Sequence, residues 1–113
     1  MRLSTEFWVS AYLRQASTDG DYAVLSRRGA AQGGQVFLIV DRLNGTCDLY
    51  GPAVQALVED SADRLFECLL VQNDPLEIRE RLTKEERFDP DLWVIERESP
   101  DGHHGLSLVK AEF

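Results

Sequence analysis

Five consecutive large apolar residues, Val36-Phe37-Leu38-Ile39-Val40, are followed shortly by Asn44-Gly45. A run rich in β-branched and aromatic side chains reads as a central strand. Asn-Gly supplies positive φ at both central positions of a type I′ turn and is the strongest short-range hairpin signal. A strand over 35–43, a two-residue turn and a return strand over 46–50, stopped by Gly51-Pro52, are therefore expected. Such a turn pairs Leu43 with Thr46, Arg42 with Cys47, Asp41 with Asp48 and Val40 with Leu49. In that register Leu38, Val40 and Leu49 share one face, and Phe37, Ile39 and Tyr50 share the other. Both faces then carry bulky apolar groups, so helices or a second subunit must cover the sheet on two sides.

Ser4 and Thr5 can cap a helix reaching about Ser17. Its Phe7, Trp8, Val9, Ala11, Tyr12, Leu13 and Ala16 cover more than one stripe. It needs a sheet plus a loop above it, or an oligomer contact. Asp19-Gly20-Asp21 ends it, and residues 22–28 alternate as a strand. Residues 53–63 suit a short helix or a loop. In 64–71, a strand, Leu65, Glu67 and Leu69 alternate with Phe66, Cys68 and Leu70. Asp74-Pro75 with Glu77 is the clearest helix start. That helix runs to about Arg87 with Leu76, Ile78, Leu82 and Phe88 as its apolar residues and a charged outer face. Asp89-Pro90-Asp91 breaks it before a strand over 92–96.

This order predicts an α+β fold, a largely antiparallel sheet of about five strands with two main helices, and not a βαβ dinucleotide-binding repeat. Residues 2–98 are expected to form one domain. Residues 99–105 read as a flexible loop, and 106–113 as a returning edge strand or a tail.

A chain of 113 residues suits one domain. Folding at this size buries about two-thirds of the unfolded surface, enough for a core without disulfide or zinc support. The net charge of −8 falls entirely in residues 57–113. It repels phosphate backbones and anionic lipid, so neither nucleic acid nor membrane is an expected partner. Cys47 and Cys68 lack metal-ligand spacing and read as reduced thiols. The first residues show no apolar leader pattern. A cytoplasmic protein without a cofactor is expected.

Three segments carry a likeness: R-L-S-T-E-F-W-V-S-A-Y-L-R from Arg2, R-L-N-G-T-C-D-L-Y-G-P from Arg42 and R-F-D-P-D-L-W-V-I-E from Arg87. Together, over about residues 2–98, the chain resembles a family of short alphaproteobacterial proteins catalogued as a domain of unknown function. The resemblance implies a small cytoplasmic bacterial domain and brings no activity, cofactor or catalytic residue. It leaves the two histidines in an extension outside the shared part.

Asp41 opposite Asp48 would repel unless a cation or a shared proton lay between them, which suggests a hard-metal site or an acid/base pair. A register off by one residue, or two solvated carboxylates near a turn, is the plainer reading. His103 and His104 with Asp101 offer metal ligands in one loop, although an exposed loop explains them more simply. Arg27-Arg28-Gly29 with Gly33-Gly34 could cradle an anion, but it lacks the P-loop Lys and the G-x-G-x-x-G pattern. No G-x-S-x-G occurs, and neither cysteine lies near a histidine. Trp8, Tyr12, Trp93 and Phe88 read as an aromatic cluster. Any part left at the surface would anchor a partner.

The leading expectation is a non-catalytic protein-interaction module that self-associates, binding a protein partner or a second copy through Trp8, Tyr12 and Trp93. The alternative is a binding domain or small enzyme for an anionic metabolite, lined by Arg14, Arg27, Arg28 and Arg42, with Asp41 and Asp48 as a metal or acid/base pair.

Overall fold

Both helix starts follow from their caps. Ser4 Oγ accepts from the Phe7 N–H at 3.2 Å and opens α1, Thr5–Thr18. Asp74 accepts from the Leu76 N–H at 2.8 Å and opens α2, Pro75–Phe88. Glu77 bonds the Asn73 amide at 2.7 Å instead of closing a capping box. The computed structural model describes residues 4–53 and 64–109. All but Ala53 of the expected 53–63 helix or loop lies outside them, as do residues 110–113.

The strands are β1 (Ala23–Arg27), β2 (Val36–Asp41), β3 (Cys47–Pro52), β4 (Leu65–Asn73), β5 (Trp93–Glu98) and β6 (Ser107–Leu108). They form one six-stranded sheet in the order β1-β5-β2-β3-β4-β6. The fold is α+β, as expected, with a mixed sheet: β2–β5 and β4–β6 are parallel and the other three pairings antiparallel. The parallel pairing of β5 has a topological cause. After β4, α2 carries the chain back along the sheet, so β5 starts again beside β2 in the same direction. It slots between β1 and β2, which the long 29–34 connection leaves apart.

The hairpin register differs by one residue from the two-residue expectation. Leu38 pairs with Tyr50, Ile39 with Leu49, Val40 with Asp48 and Asp41 with Cys47. The Arg42 N–H reaches the Thr46 carbonyl at 3.1 Å, so three residues, Leu43-Asn44-Gly45, make the turn. Leu43 and Gly45 take positive φ of 61° and 90°. Side chains hold this wider turn: Asp41 accepts from the Leu43 N–H at 2.8 Å and Asn44 from the Thr46 N–H at 3.0 Å. A slip of one residue flips β3. Tyr50 joins Leu38 and Val40 on the α1 side, and Leu49 joins Phe37 and Ile39 on the α2 side.

Helices provide the two-sided cover. On one face Val9 and Tyr12 of α1 pack over Leu38, Val40, Phe66, Trp93 and Ile95. Trp8 stacks on Tyr12 and meets Phe66, each at 5.4 Å between centroids. Loops supply the second cover of α1: Ala31 accepts from the Glu6 N–H at 3.0 Å, and the His104 carbonyl accepts from the Tyr12 hydroxyl. On the other face Ile78 and Leu82 of α2 pack over Phe37, Leu49 and Val94. Leu76 and Phe88, expected on that apolar stripe, point to solvent instead. A bulge in β4 brings Leu69 and Leu70 to the same core, breaking the alternation expected there. Ser107–Leu108 pair with Leu65 and Phe66, so the described part of the last segment is an edge strand.

Candidate functional site

On its sheet face α2 packs on β3 and β4 and reaches Val94 of β5, and beyond it Val24 and Ser26 of β1 stay exposed. The step between helix and open sheet is a cleft of about 440 Å³. Ile39, Cys47 and Val94 floor it from the sheet, and Ile78 and Leu82 wall it from the helix. Four charged residues line it: Asp41, Glu96 and Arg27 from the strands, and Arg79 from the second turn of α2. Arg27 is committed to the chain itself, donating to the carbonyls of Leu92 and Pro90 and pairing with Glu86 at 3.4 Å. Among the described residues, neither the Arg79 guanidinium nor the Glu96 carboxylate has a hydrogen-bond or ion-pair partner. Burial, reinforced by Asp41, Glu96 and Asp48, pushes the Cys47 thiol up. It stays protonated at neutral pH and packs as a small apolar group.

The observed register separates the two hairpin aspartates. Asp41 faces the cleft with Cys47, whereas Asp48 pairs with Val40 and faces the α1 side. They form no carboxylate pair. Among the described residues no three or more of His, Cys, Asp and Glu are grouped to hold a metal ion. Asp48, fully buried, instead accepts from Arg42 Nε and Nη2, both at 2.9 Å, and from the Gln72 N–H at 2.7 Å. It anchors the β4 bulge, where Gln72 takes φ of 48°.

The four arginines expected to line one pocket go to different places. Arg14 lies on the exposed side of α1. Arg28 pairs with Glu6 and lies 5.2 Å over the Trp93 ring, Arg42 belongs to Asp48, and Arg27 to the 90–92 turn. Nor is the glycine loop built as an anion cradle. Its Ala30 and Gly33 carbonyls accept from Trp93 Nε1 at 2.9 and 3.2 Å. A Cβ at Gly29 or Gly34 would come within 2.0 or 2.1 Å of the Asp91 carbonyl oxygen, so the glycines let two loops touch. Of the aromatic residues expected to meet a partner, Trp93 and Tyr12 are only 1% and 7% exposed and Trp8 is half-buried. They are core.

Sequence reasoning missed Arg97. It is 1% exposed, yet donates to Asp21 at 2.8 Å, Asp19 at 3.1 Å, the Tyr12 hydroxyl at 3.2 Å and the His104 carbonyl at 3.4 Å. Burial alone would lower its pKa. The bonds to Tyr12, Asp21 and Asp19 outweigh that and raise it. A signal existed: Trp93, Ile95 and Arg97 alternate onto the same face of β5, and Asp19-Gly20-Asp21 offers two carboxylates in one turn.

A family model described as a protein of unknown function, DUF1491, matches residues 3–107. The chain belongs to the DUF1491 family. It is 37% identical to the solution structure of protein Atu0922 from A. tumefaciens, over 99% of this chain and 98% of that one, with a TM-score of 0.84. A crystal structure of a DUF1491 family protein from Caulobacter crescentus CB15 gives 31% identity, 97% and 100% coverage and a TM-score of 0.78. An NMR structure of a DUF1491 protein from the same organism gives 31%, 97% and 99%, and 0.76. No curated protein matches the chain.

The DUF1491 match extends past Glu98, so His103 and His104 lie inside the family region rather than beyond it. His104 Nδ1 accepts from the Leu106 N–H at 2.9 Å, and its ring lies 4.7 Å from that of Tyr50. His103 Nε2 stands 3.6 Å from Asp19. Burial first, then His103 and Arg97, lower the His104 pKa against an opposing pull from Asp48. The folded state therefore favours neutral His104, and stability falls as pH drops below the ordinary value of 6.5. His104→Ala should flatten that slope in thermal unfolding followed from pH 7.5 to 5. An unchanged slope would rule out His104 as its source. Among the described residues no helix is long and apolar enough to cross a membrane.

Proposed function

We propose that this DUF1491 protein is a non-catalytic interaction module of the cytoplasm that self-associates by joining the outer edges of β1 from two copies. The single observation behind this reading is the charge order along an open edge strand. β1 is the end strand of the sheet. The Glu98 N–H bonds the Tyr22 carbonyl at 2.9 Å, so Tyr22 and Val24 bond inward and Ala23 and Leu25 turn their backbone groups outward. The segment is acidic where it enters, at Asp19 and Asp21, and basic where it leaves, at Arg27 and Arg28. Antiparallel self-pairing about Val24 sets Ala23 opposite Leu25 of the second copy and brings the acidic entry of each β1 towards the basic exit of the other, with Asp21 still held by Arg97 and Arg27 by the 90–92 turn of its own chain. A parallel arrangement would set like charges together. The antiparallel pairing is two-fold symmetric and covers Tyr22 and Val24, both exposed in the single chain.

Ala23→Pro tests it, because the lost N–H faces outward and the ladder to β5 keeps its bonds. Each dimer loses two N–H donors at about 1 kcal/mol each, which weakens it roughly thirtyfold. Sedimentation equilibrium should show a wild-type dimer that Ala23→Pro dissociates without a change of fold by circular dichroism. A wild-type chain that stays monomeric throughout the accessible concentration range would end the proposal.

A further inference from the structure

We infer that the cleft beneath α2 binds a small zwitterion with an apolar body, an apolar amino acid or a dipeptide of such residues. The inference rests on the cleft alone and goes beyond self-association through β1.

Three observations converge. The cleft, about 440 Å³, is within the size range of small-molecule sites and has an apolar floor of Ile39, Cys47 and Val94. Arg79 and Glu96, opposite in charge, line the same space, and among the described residues each lacks a partner. Glu96 is half-buried at the cleft wall, and among the described residues no cation pairs with it.

The charges select the ligand. A simple anion attracted to Arg79 meets Asp41 and Glu96, and a simple cation attracted to Glu96 meets Arg79. A molecule carrying both charges satisfies both walls: its carboxylate takes the planar fork of Arg79, its ammonium takes Glu96 with Asp41 beside it, and its side chain lies on the floor. Arg27 does not compete for the carboxylate, because the carbonyls of Leu92 and Pro90 and the Glu86 side chain already occupy it. Burial pushes the Cys47 thiol up, so it adds to the apolar floor as a neutral group.

The test is a titration of the 15N-labelled chain, read by amide shifts, with L-leucine and L-leucyl-L-leucine. N-acetyl-leucine and leucinamide, each lacking one charge, are the controls. Shifts centred on Val94, Glu96, Ile78 and Arg79 are expected with one or both unblocked ligands, and binding at least tenfold weaker with both blocked ones. The variants then exchange these preferences. Arg79→Gln should bind leucinamide as well as leucine, and Glu96→Gln should bind N-acetyl-leucine as well as leucine. Retained dispersion of the spectra shows that both variants fold. Absence of shifts with either unblocked ligand, equal binding of blocked and unblocked forms, or shifts centred elsewhere would overturn the inference. Self-association, read by sedimentation of the unliganded chain, stands or falls separately.

Discussion

Asp48→Ala should cost about 3–5 kcal/mol, the usual cost of removing one partner from a buried ion pair. At about 4 °C per kcal/mol for a domain of this size, the unfolding midpoint falls by roughly 12–20 °C. The substitution does two kinds of damage. Arg42, with only 20% of its side chain exposed, loses the carboxylate that its Nε and Nη2 both hold. The Gln72 N–H, held at 2.7 Å in a left-handed bulge, loses its acceptor. Asp48→Asn keeps an oxygen for Gln72 and loses only the charge, so about half the cost is expected. Thermal unfolding measures both, and hydrogen exchange should quicken at Gln72 in the alanine variant first. A loss below about 1 kcal/mol would show that Asp48 does not anchor the hairpin to β4.

Arg97 should produce the second large effect. Arg97→Met keeps much of the volume and removes the charge that joins the α1 turn to β5 and to the 99–105 segment. About 3 kcal/mol is expected, at the lower end for a buried pair because water can reach part of Asp19 and Asp21. Arg97→Lys should cost about 1–2 kcal/mol, since one ammonium cannot reproduce a fork spread over two carboxylates, a hydroxyl and a carbonyl. Acid sensitivity separates the variants. The bond from Gln15, then that from Arg97, hold the Asp19 carboxyl below its ordinary 3.8. A depressed folded-state pKa gives stability that is complete above 3.8 and lost as pH falls through the lower folded value. Arg97→Met removes the second cause, so its stability should depend less on pH in that acid window than the wild type's does. Equal acid slopes would mean that Arg97 does not govern Asp19.

Much of the fold was legible because its signals are local. Ser4 and Asp74 cap helices by reaching N–H groups two or three residues away, and no distant part of the chain is needed for that. The β2 run, its return at Asn44-Gly45 and the break at Asp89-Pro90 are equally short-range. The hairpin register was not legible, although its residues are close together. Asn-Gly favours two residues in the turn, but bonds from the Leu43 N–H to Asp41 and from the Thr46 N–H to Asn44 stabilise three. That single residue decides whether Asp48 faces Asp41 or is sealed beneath the α1 side with Arg42. A suspected carboxylate pair thereby becomes a structural anchor.

The candidate site was less legible still. Arg79 reads as one more charge on a solvated helix face, and Glu96 as the polar residue of an alternating strand. They share a cleft only because β5 inserts between β1 and β2 while α2 settles over β3 and β4. The arginines that did stand out in the sequence were each taken up by a carboxylate or a carbonyl, Arg14 excepted, and so were dispersed.

The sequence on its own settled both helices and their starts, strands β1 to β5, the two-sided cover of the β2–β3 hairpin and, through its three motif segments, the family. All of these but the family follow from backbone propensity, capping and periodicity, which act over a few residues. Tertiary structure alone decided the strand order, the register of β3 against β2, the partner of each arginine and the open cleft. Each of these depends on which distant segments compete for the same sheet edge and the same buried charge, and that competition is settled only when the whole chain packs.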